Sequence, residues 1–359
     1  MVSVTIRDVA ARAGVSIATV SRVLNQSGPV RNETRARVEQ VAAELNFTPH
    51  GAARSLTTRR THTFGVVLPD LYGEFFSEVI RGMDPLARRN GYHLLLSSSH
   101  DNRRDIEFAL QAMRGRVDGL IVMSPDVSAK ELAPFLPRDI PVVLLNCDVG
   151  EDGALDALNV DNFGGARDMV LHLAGLGHQR IAMIAGSDSN FDARERMRGY
   201  RAALGEAGLL TADEWVVEGG FTEEGGFEAA LELARCDPRP TAVFCANDSM
   251  AIGAMSALRS MGLHVPGDVA VAGFDDVPIA RYFSPALSSV QVDVHRLGAR
   301  AVEMLCNALG KEKAQAPVHE TLSTRLVLRR SCGANGPADE PRVHDPADHH
   351  GAAHARSTP

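Results

Sequence analysis

"TIRDVAARAGVSIATVSRVLN" occupies residues 5–25, and the rest of the chain is read outward from it. Thr5 stands three residues before Asp8, a capping-box spacing, and Ile6, Val9, Ala10 and Ala13 fall on one helical face before Gly14. After the tight turn "AGVS", Ser16 offers a second N-cap, with Val20, Val23 and Leu24 as apolar positions of a helix through about Asn25. A third helix is expected from about Asn32 to Leu45, burying Val38, Val41, Ala42 and Leu45. Two short helices joined by a glycine-containing turn, with a third packed across them, form a helix-turn-helix module.

With Val20 and Leu24 turned inward, the second helix presents Ile17, Ala18 and Arg22 outward. Arg22 offers a fork to guanine O6 and N7, and Ile17 or Ala18 an apolar surface to a thymine methyl. The short polar groups of Ser16, Thr19, Ser21 and Asn25 suit phosphate oxygens, and Thr5 is counted with them. A solvated helix with incidental Ser and Thr accounts for each of these singly but leaves an exposed Ile17 unexplained.

Charge supports the same division. Residues 1–60 hold nine arginines and no lysine against four acidic residues, a net of +5, so the remainder of this 359-residue chain carries −13 of a total of −8. A basic head on an acidic body is the footprint expected where only the head meets a polyanion. The hydrophobic content of 45% supports real cores. No apolar run approaches a membrane span and no leader-like segment opens the chain, so a cytoplasmic, nucleoid-associated protein without membrane contact is expected. Five widely spaced cysteines without a CxxC pair suggest free thiols.

From residue 64 the pattern changes to α/β alternation. Strands are expected at "FGVVLP", "HLLLSS", "DGLIVMS", "PVVLLN", "RIAMIAG", "WVVEGG", "TAVFCAN" and "VAVAGFDD". Their continuous apolar runs predict strands covered on both faces, hence parallel sheets with right-handed crossovers. Eight such units fit two lobes better than one, with a boundary near "NVDNFGG" (159–165). Parallel sheets bind small molecules at the carboxyl ends of their strands, which here carry Asp70, Asn146, Asp161, Asn247, Asp248, Asp275 and Asp276. Such groups suit sugar hydroxyls, and Phe75, Phe76 and Phe221 could face a ring. Each Asp or Asn is also an ordinary helix cap. Between head and core, "GAARSLTT" (51–58) is neither a flexible linker nor a core helix, because it carries the single large apolar residue Leu56.

"VTIRDVAARAGVSIATVSRVLN" and "VRNETRARVEQVAAELNFTPHGAARSL", with "DGLIVMSP", "VDNFGGA", "LGHQRIAMIAG", "FCANDSMAIGAM", "GLHVPGDVAVAGFDD" and "FSPALSSV", resemble the lactose/galactose-repressor (LacI/GalR) family of bacterial transcription regulators over about residues 3–331. The resemblance implies an α/β protein with a three-helix helix-turn-helix head (1–48), a hinge helix and linker (49–61) and a two-lobed periplasmic-binding-protein-like core of parallel sheets (62–331). The N-lobe is expected at about 62–160 plus 290–318, the C-lobe at 161–289 plus 319–331, and a disordered tail at 332–359.

By the same resemblance, effector contacts fall on Arg196, Phe221, Asn247 and Asp275, with Asp70, Phe75, Phe76 and Asp161 as further candidates from the strand ends. Ile17-Ala18 resembles the catabolite-control and galactose-repressor type and suggests a pseudo-palindromic operator with a central CpG step. Leu56 resembles the leucine that wedges into the minor groove beside its dimer mate, with Ala53 and Arg54 near the backbone. The implied partners are operator DNA, a small-molecule sugar effector and a second copy of the chain, the dimer surface running along "SMAIGAMSAL" and "ARYF". The tail has no leucine heptad, which favours a dimer over a tetramer.

No catalytic residues, metal site or cofactor are expected: GxSxG, HExxH, P-loop and dinucleotide fingerprints are missing from the sequence. A purine- or nucleoside-responsive regulator of the same architecture and a sugar-active α/β enzyme are the alternatives.

Overall fold

The computed structural model of the chain describes residues 4–25, 28–47, 60–100, 103–150, 153–310 and 316–334. The expected hinge residues Ala53, Arg54 and Leu56 and the segment 335–359 lie outside the described residues.

The head consists of α1 (Ile6–Ala13), α2 (Ile17–Leu24) and α3 (Asn32–Glu44). The capping box forms as the spacing requires: the Thr5 N–H and hydroxyl both donate to Asp8 Oδ2 at 2.8 Å. Gly14 ends α1 at φ +66°, a left-handed position that glycine adopts without strain. Ser16 Oγ accepts the Thr19 N–H at 3.1 Å and starts α2. Val9, Ala10, Ala13, Val20, Val23, Val38, Val41 and Ala42 form the small buried core, with Leu24 and Leu45 at its margin.

The remaining chain runs β1 (Thr63–Leu68), α4 (Glu74–Arg89), β2 (His93–Ser98), α5 (Arg103–Met113), β3 (Gly119–Met123), α6 (Ala129–Leu132), β4 (Val142–Leu145), β5 (Asp156–Val160), α7 (Asn162–Gly175), β6 (Ile181–Ala185), α8 (Phe191–Glu206), β7 (Val216–Glu218), α9 (Glu223–Leu233), β8 (Ala242–Cys245), α10 (Asp248–Ser260), β9 (Ala270–Asp275), β10 (Ser288–Gln291), α11 (Val294–Leu309), β11 (His319–Leu322) and β12 (Arg325–Val327). All eight expected strands are present. β5, β10, β11 and β12, three to five residues each, were not expected.

Each unit has its own sheet. The first is ordered β11-β5-β4-β3-β1-β2 and the second β12-β10-β9-β8-β6-β7. Pairing is parallel from β2 through β5 and from β7 through β10, and β12 returns antiparallel to β10. Most strands are covered on both faces, as continuous apolar runs require. The four edge strands, β2, β7, β11 and β12, are less covered, and in β2 Leu95 and Leu96 of "HLLLSS" are 36% and 38% exposed. At the start of the first unit, Asp118 accepts the Thr61 N–H and hydroxyl at 2.7 and 2.8 Å and the His62 N–H at 2.9 Å, tying down the chain where the core begins.

The unit boundaries depart from the expected ones. The first unit comprises 1–72, 76–158 and 295–319, and the second 73–75, 159–294 and 320–359. Residues 290–294 thus belong with the second unit, because Val290 and Gln291 continue β10 opposite Phe274 and Asp275. The last crossing falls within β11, after His319 rather than before it, although the strand pairs in the first sheet. Nor does the tail begin at 332: Cys332 is fully buried, ending a short turn of 3-10 helix, and Gly333 follows at φ +82°. All five cysteines are free thiols, three of them buried.

Candidate functional site

On α2 the burial of Val20 and Val23 turns the opposite face to solvent. Ile17 is 45% exposed there, and Ser16, Ala18 and Arg22 are exposed as well. Arg22 forms no ion pair among the described residues. The polar candidates pair with one another: Ser16 Oγ lies 2.9 Å from Thr19 Oγ1, and Asn25 Nδ2 donates to Ser21 Oγ at 3.2 Å. Thr5 is occupied by Asp8, whose carboxyl these two bonds hold below the usual range. Ile17, Ala18 and Arg22 are the exposed candidates of α2 whose side chains make no polar contact among the described residues.

In the second unit the chain assembles a buried polar cluster at the carboxyl ends of its strands. Arg196, 4% exposed, projects from α8. Its Nε donates to Asn162 Oδ1 at 2.8 Å, one terminal nitrogen to the Ala246 carbonyl, and the other to Asp275 Oδ1 at 3.4 Å. The guanidinium lies over the Phe274 ring at 3.8 Å from its centroid and 5.9 Å from that of Phe221. Such stacking favours a planar cation over an ammonium. Gly186 makes room for this arrangement, since a Cβ there would run into the Phe221 ring.

Asn162 Nδ2 donates to Asp192 Oδ1 at 2.8 Å, and Asp192 sits one helical turn before Arg196. Asn247 caps α10 by accepting the Met250 N–H at 2.9 Å and donates to the Phe221 carbonyl at 3.0 Å. Burial pushes the Asp275 carboxyl up to about 7 against the pull of Arg196, and the nearby Asp192 adds to the rise.

Of the sequence candidates, the fold thus brings Arg196, Phe221, Asn247 and Asp275 together. Asp161 adjoins Asn162 in sequence, but its side chain caps α7 by accepting the Gly164 N–H at 2.8 Å. Asp70, in the first unit, closes its own turn by accepting the Leu71 and Tyr72 N–H groups at 2.6 and 3.1 Å. Phe75 and Phe76 open α4 and are half-buried. Sequence reasoning passed over Asn162, Asp192 and Phe274. The i,i+4 spacing of Asp192 and Arg196 on one helix was a usable signal. Phe274 was hidden inside a strand run where an aromatic reads as core.

Of the strip "SMAIGAMSAL", α10 keeps Met250, Ala251, Gly253, Ala254, Met255, Ala257 and Leu258 buried within its own unit. Near "ARYF", Tyr282 is 69% and Ile279 41% exposed. Among the described residues no helix is long and apolar enough to cross a membrane.

Residues 5–50 match "Bacterial regulatory proteins, lacI family" and residues 170–332 match "Periplasmic binding protein-like domain". The "HTH-type transcriptional repressor PurR" of Edwardsiella ictaluri (strain 93-146) is 38% identical over 338 residues, covering 93% of this chain and 98% of that protein. Among solved structures, the lac repressor dimer bound to operator and the anti-inducer ONPF is 30% identical with a TM-score of 0.83, over 93% of this chain and all of the other. A transcriptional regulator CelR–cellobiose complex is 31% identical with a TM-score of 0.69, over 91% of this chain and 99% of the other.

Proposed function

The chain belongs to the lacI family of bacterial regulatory proteins and is a DNA-binding transcriptional repressor, and on that premise we propose that it controls carbohydrate uptake or utilisation genes in response to a sugar. It acts in the cytoplasm on nucleoid DNA as a homodimer and is not an enzyme. One head reads only a few base pairs, so two-fold symmetry is needed to read two half-sites of a pseudo-palindromic operator in register. In each half-site Arg22 reads a guanine and Ile17 and Ala18 meet thymine methyls. Ser16, Thr19, Ser21, Asn25 and Thr5 stand toward the backbone, and Leu56, with Ala53 and Arg54, wedges the central step.

The observation that carries the effector reading is Arg196, buried between Phe274 and Phe221 with the Asp275 carboxyl at 3.4 Å. A buried donor fork, carboxyl and amide acceptors and an aromatic face are what a polyhydroxylated ring requires. Phe221, Asn247 and Asp275 complete that face, and Asp70, Phe75, Phe76 and Asp161 are the outer candidates. The solved regulator in complex with cellobiose supports the sugar class. Effector binding shifts operator affinity through a coupling of about 1–3 kcal/mol, or one to two decades of occupancy.

The test is a gel shift of a palindromic operator with and without a panel of ribose, galactose, lactose and cellobiose, set beside adenine, guanine and inosine. A sugar that alters operator affinity is the expected result. Response to the purine arm alone would replace the sugar with a purine, and turnover of a sugar without DNA affinity would make the chain an enzyme.

A further inference from the structure

Behind Arg196 and Asp275, within the second unit, lies a carboxyl group that the proposed ligand contacts do not use. Asp248 is fully buried in the first turn of α10. Its Oδ2 accepts the Val277 N–H at 2.8 Å, and its Oδ1 is hydrogen-bonded to the Ser289 hydroxyl of β10 at 2.6 Å. Ser289 Oγ also accepts the Asp276 N–H at 3.0 Å. Gly273 allows this approach, because a Cβ at that position of β9 would collide with Asp248 Oδ1.

These bonds converge on a turn that has to be held. Asp275 and Asp276 stand in succession at φ +105° and +54°, a region that side-chain-bearing residues avoid unless their surroundings impose it. We propose that Asp248 is the positioning residue of the ligand site: through Val277 and Ser289 it fixes the 275–277 turn and so presents the Asp275 carboxyl to Arg196. The inference rests on the effector reading only for the role given to Asp275.

The charges around Asp248 settle where a proton belongs. It meets the Cys245 thiol from β8, Asp275 and Asp276 at the end of β9, and Ser289 from β10. Asp192 and Arg196 come from α8, and Arg329 pairs with Asp276 at 2.7 Å. Arg329 serves Asp276, Arg196 serves Asp275, and among the described residues no cation pairs with Asp248. The proton sits on Asp248, in line with burial raising its carboxyl well above the ordinary range and the Asp275 charge adding to that rise. The Ser289 hydroxyl donates to an ionised Asp248, so protonation turns this bond round: one carboxyl oxygen keeps the Val277 N–H and the O–H donates to Ser289 Oγ. Asparagine carries the same acceptor and donor in the same places.

Thermal unfolding of the ligand-free full chain between pH 5 and 8.5 tests this with D248N, D248A and S289A. D248N is expected to lie closest to wild type at pH 5 and to gain several °C on it as the pH rises to 8, because unfolding ionises the acid and cannot ionise the amide. D248A should lose stability at every pH. A D248N midpoint that falls increasingly below wild type as the pH rises would overturn the proposal, since it would mean that the native state uses the Asp248 charge.

The positioning role is read separately with ribose or cellobiose, whichever shifts the wild-type midpoint. D248N should keep that affinity, while D248A and S289A lose it about tenfold with Asp275 in place. Undiminished affinity in S289A and D248A overturns the role, and S289A decides if D248A does not fold. Failure of every sugar to bind wild type would refute the sugar reading, and the ligand-free pH profile would still decide on Asp248.

Discussion

Arg196 shows how much of a binding residue's behaviour is set by groups the ligand never touches. Its fork donates to Asn162, the Ala246 carbonyl and Asp275, and its plane is stacked on Phe274. Lysine keeps the charge but has neither the fork nor the plane, so Arg196→Lys should cost about 1–3 kcal/mol of stability and weaken the effector, as thermal unfolding with and without sugar would report. Arg194 stands two residues earlier on the same helix. The structure uses it differently, donating to the Asp188 and Ser189 carbonyls at 3.1 and 2.7 Å. In the head, Arg22→Ala should lose about 1–3 kcal/mol of discrimination at one operator position and relax specificity there. A panel of operators varied base by base checks this, and uniform weakening across the panel would place Arg22 on phosphate instead.

At the scale of elements, local sequence signals fared best where a single side chain does the work. Thr5 and Asp8 close the capping box, Ser16 starts α2, and Asp161 and Asn247 start α7 and α10. Ser16→Ala should therefore cost about 1 kcal/mol in the recognition helix, measurable as faster amide hydrogen exchange in α2 of the full chain. Signals failed where an element is defined by its neighbours. β10, "SSVQ", has no strand-like run of its own, yet it pairs with β9 from Ser288 opposite Ala272 to Gln291 opposite Asp275. The expected hinge helix lies outside the described residues, and as a short segment containing a glycine it is proposed to form only with a partner. Leu56→Ala should then lose most operator affinity while sugar binding stays intact, and equal operator affinity in gel shift would dismiss the wedge.

For the whole molecule, the two charged regions lead to opposite sensitivities. Binding through the basic head should weaken steeply with salt, log K falling linearly with log salt by about 0.9 for each phosphate neutralised, which titration at several salt concentrations measures. The buried acids of the second unit set the response to pH. Asp275 titrates at about 7 in the folded protein against an ordinary 3.8, so the folded state holds a proton that the unfolded chain has released. Its contribution to stability is complete below pH 4 and is lost as pH rises toward 7, a loss on the order of a few kcal/mol that Asp275→Asn should remove from a melting profile.

The sequence by itself determined the head, the α/β alternation and the identity of the strand-end acids, because caps, turns and apolar runs act over a few neighbouring residues. It also carried Ile17, Ala18 and Arg22 to one face, since helical periodicity alone puts them there. Only the tertiary structure decided that Asp275 meets Arg196, that Asp161 and Asp70 are occupied by their own backbone, and that Asp248 stands buried behind the turn at Asp275. Those outcomes depend on which strands lie side by side, and a carboxyl's charge and partners follow from burial among groups far away along the chain, as Arg196 lies 79 residues from Asp275.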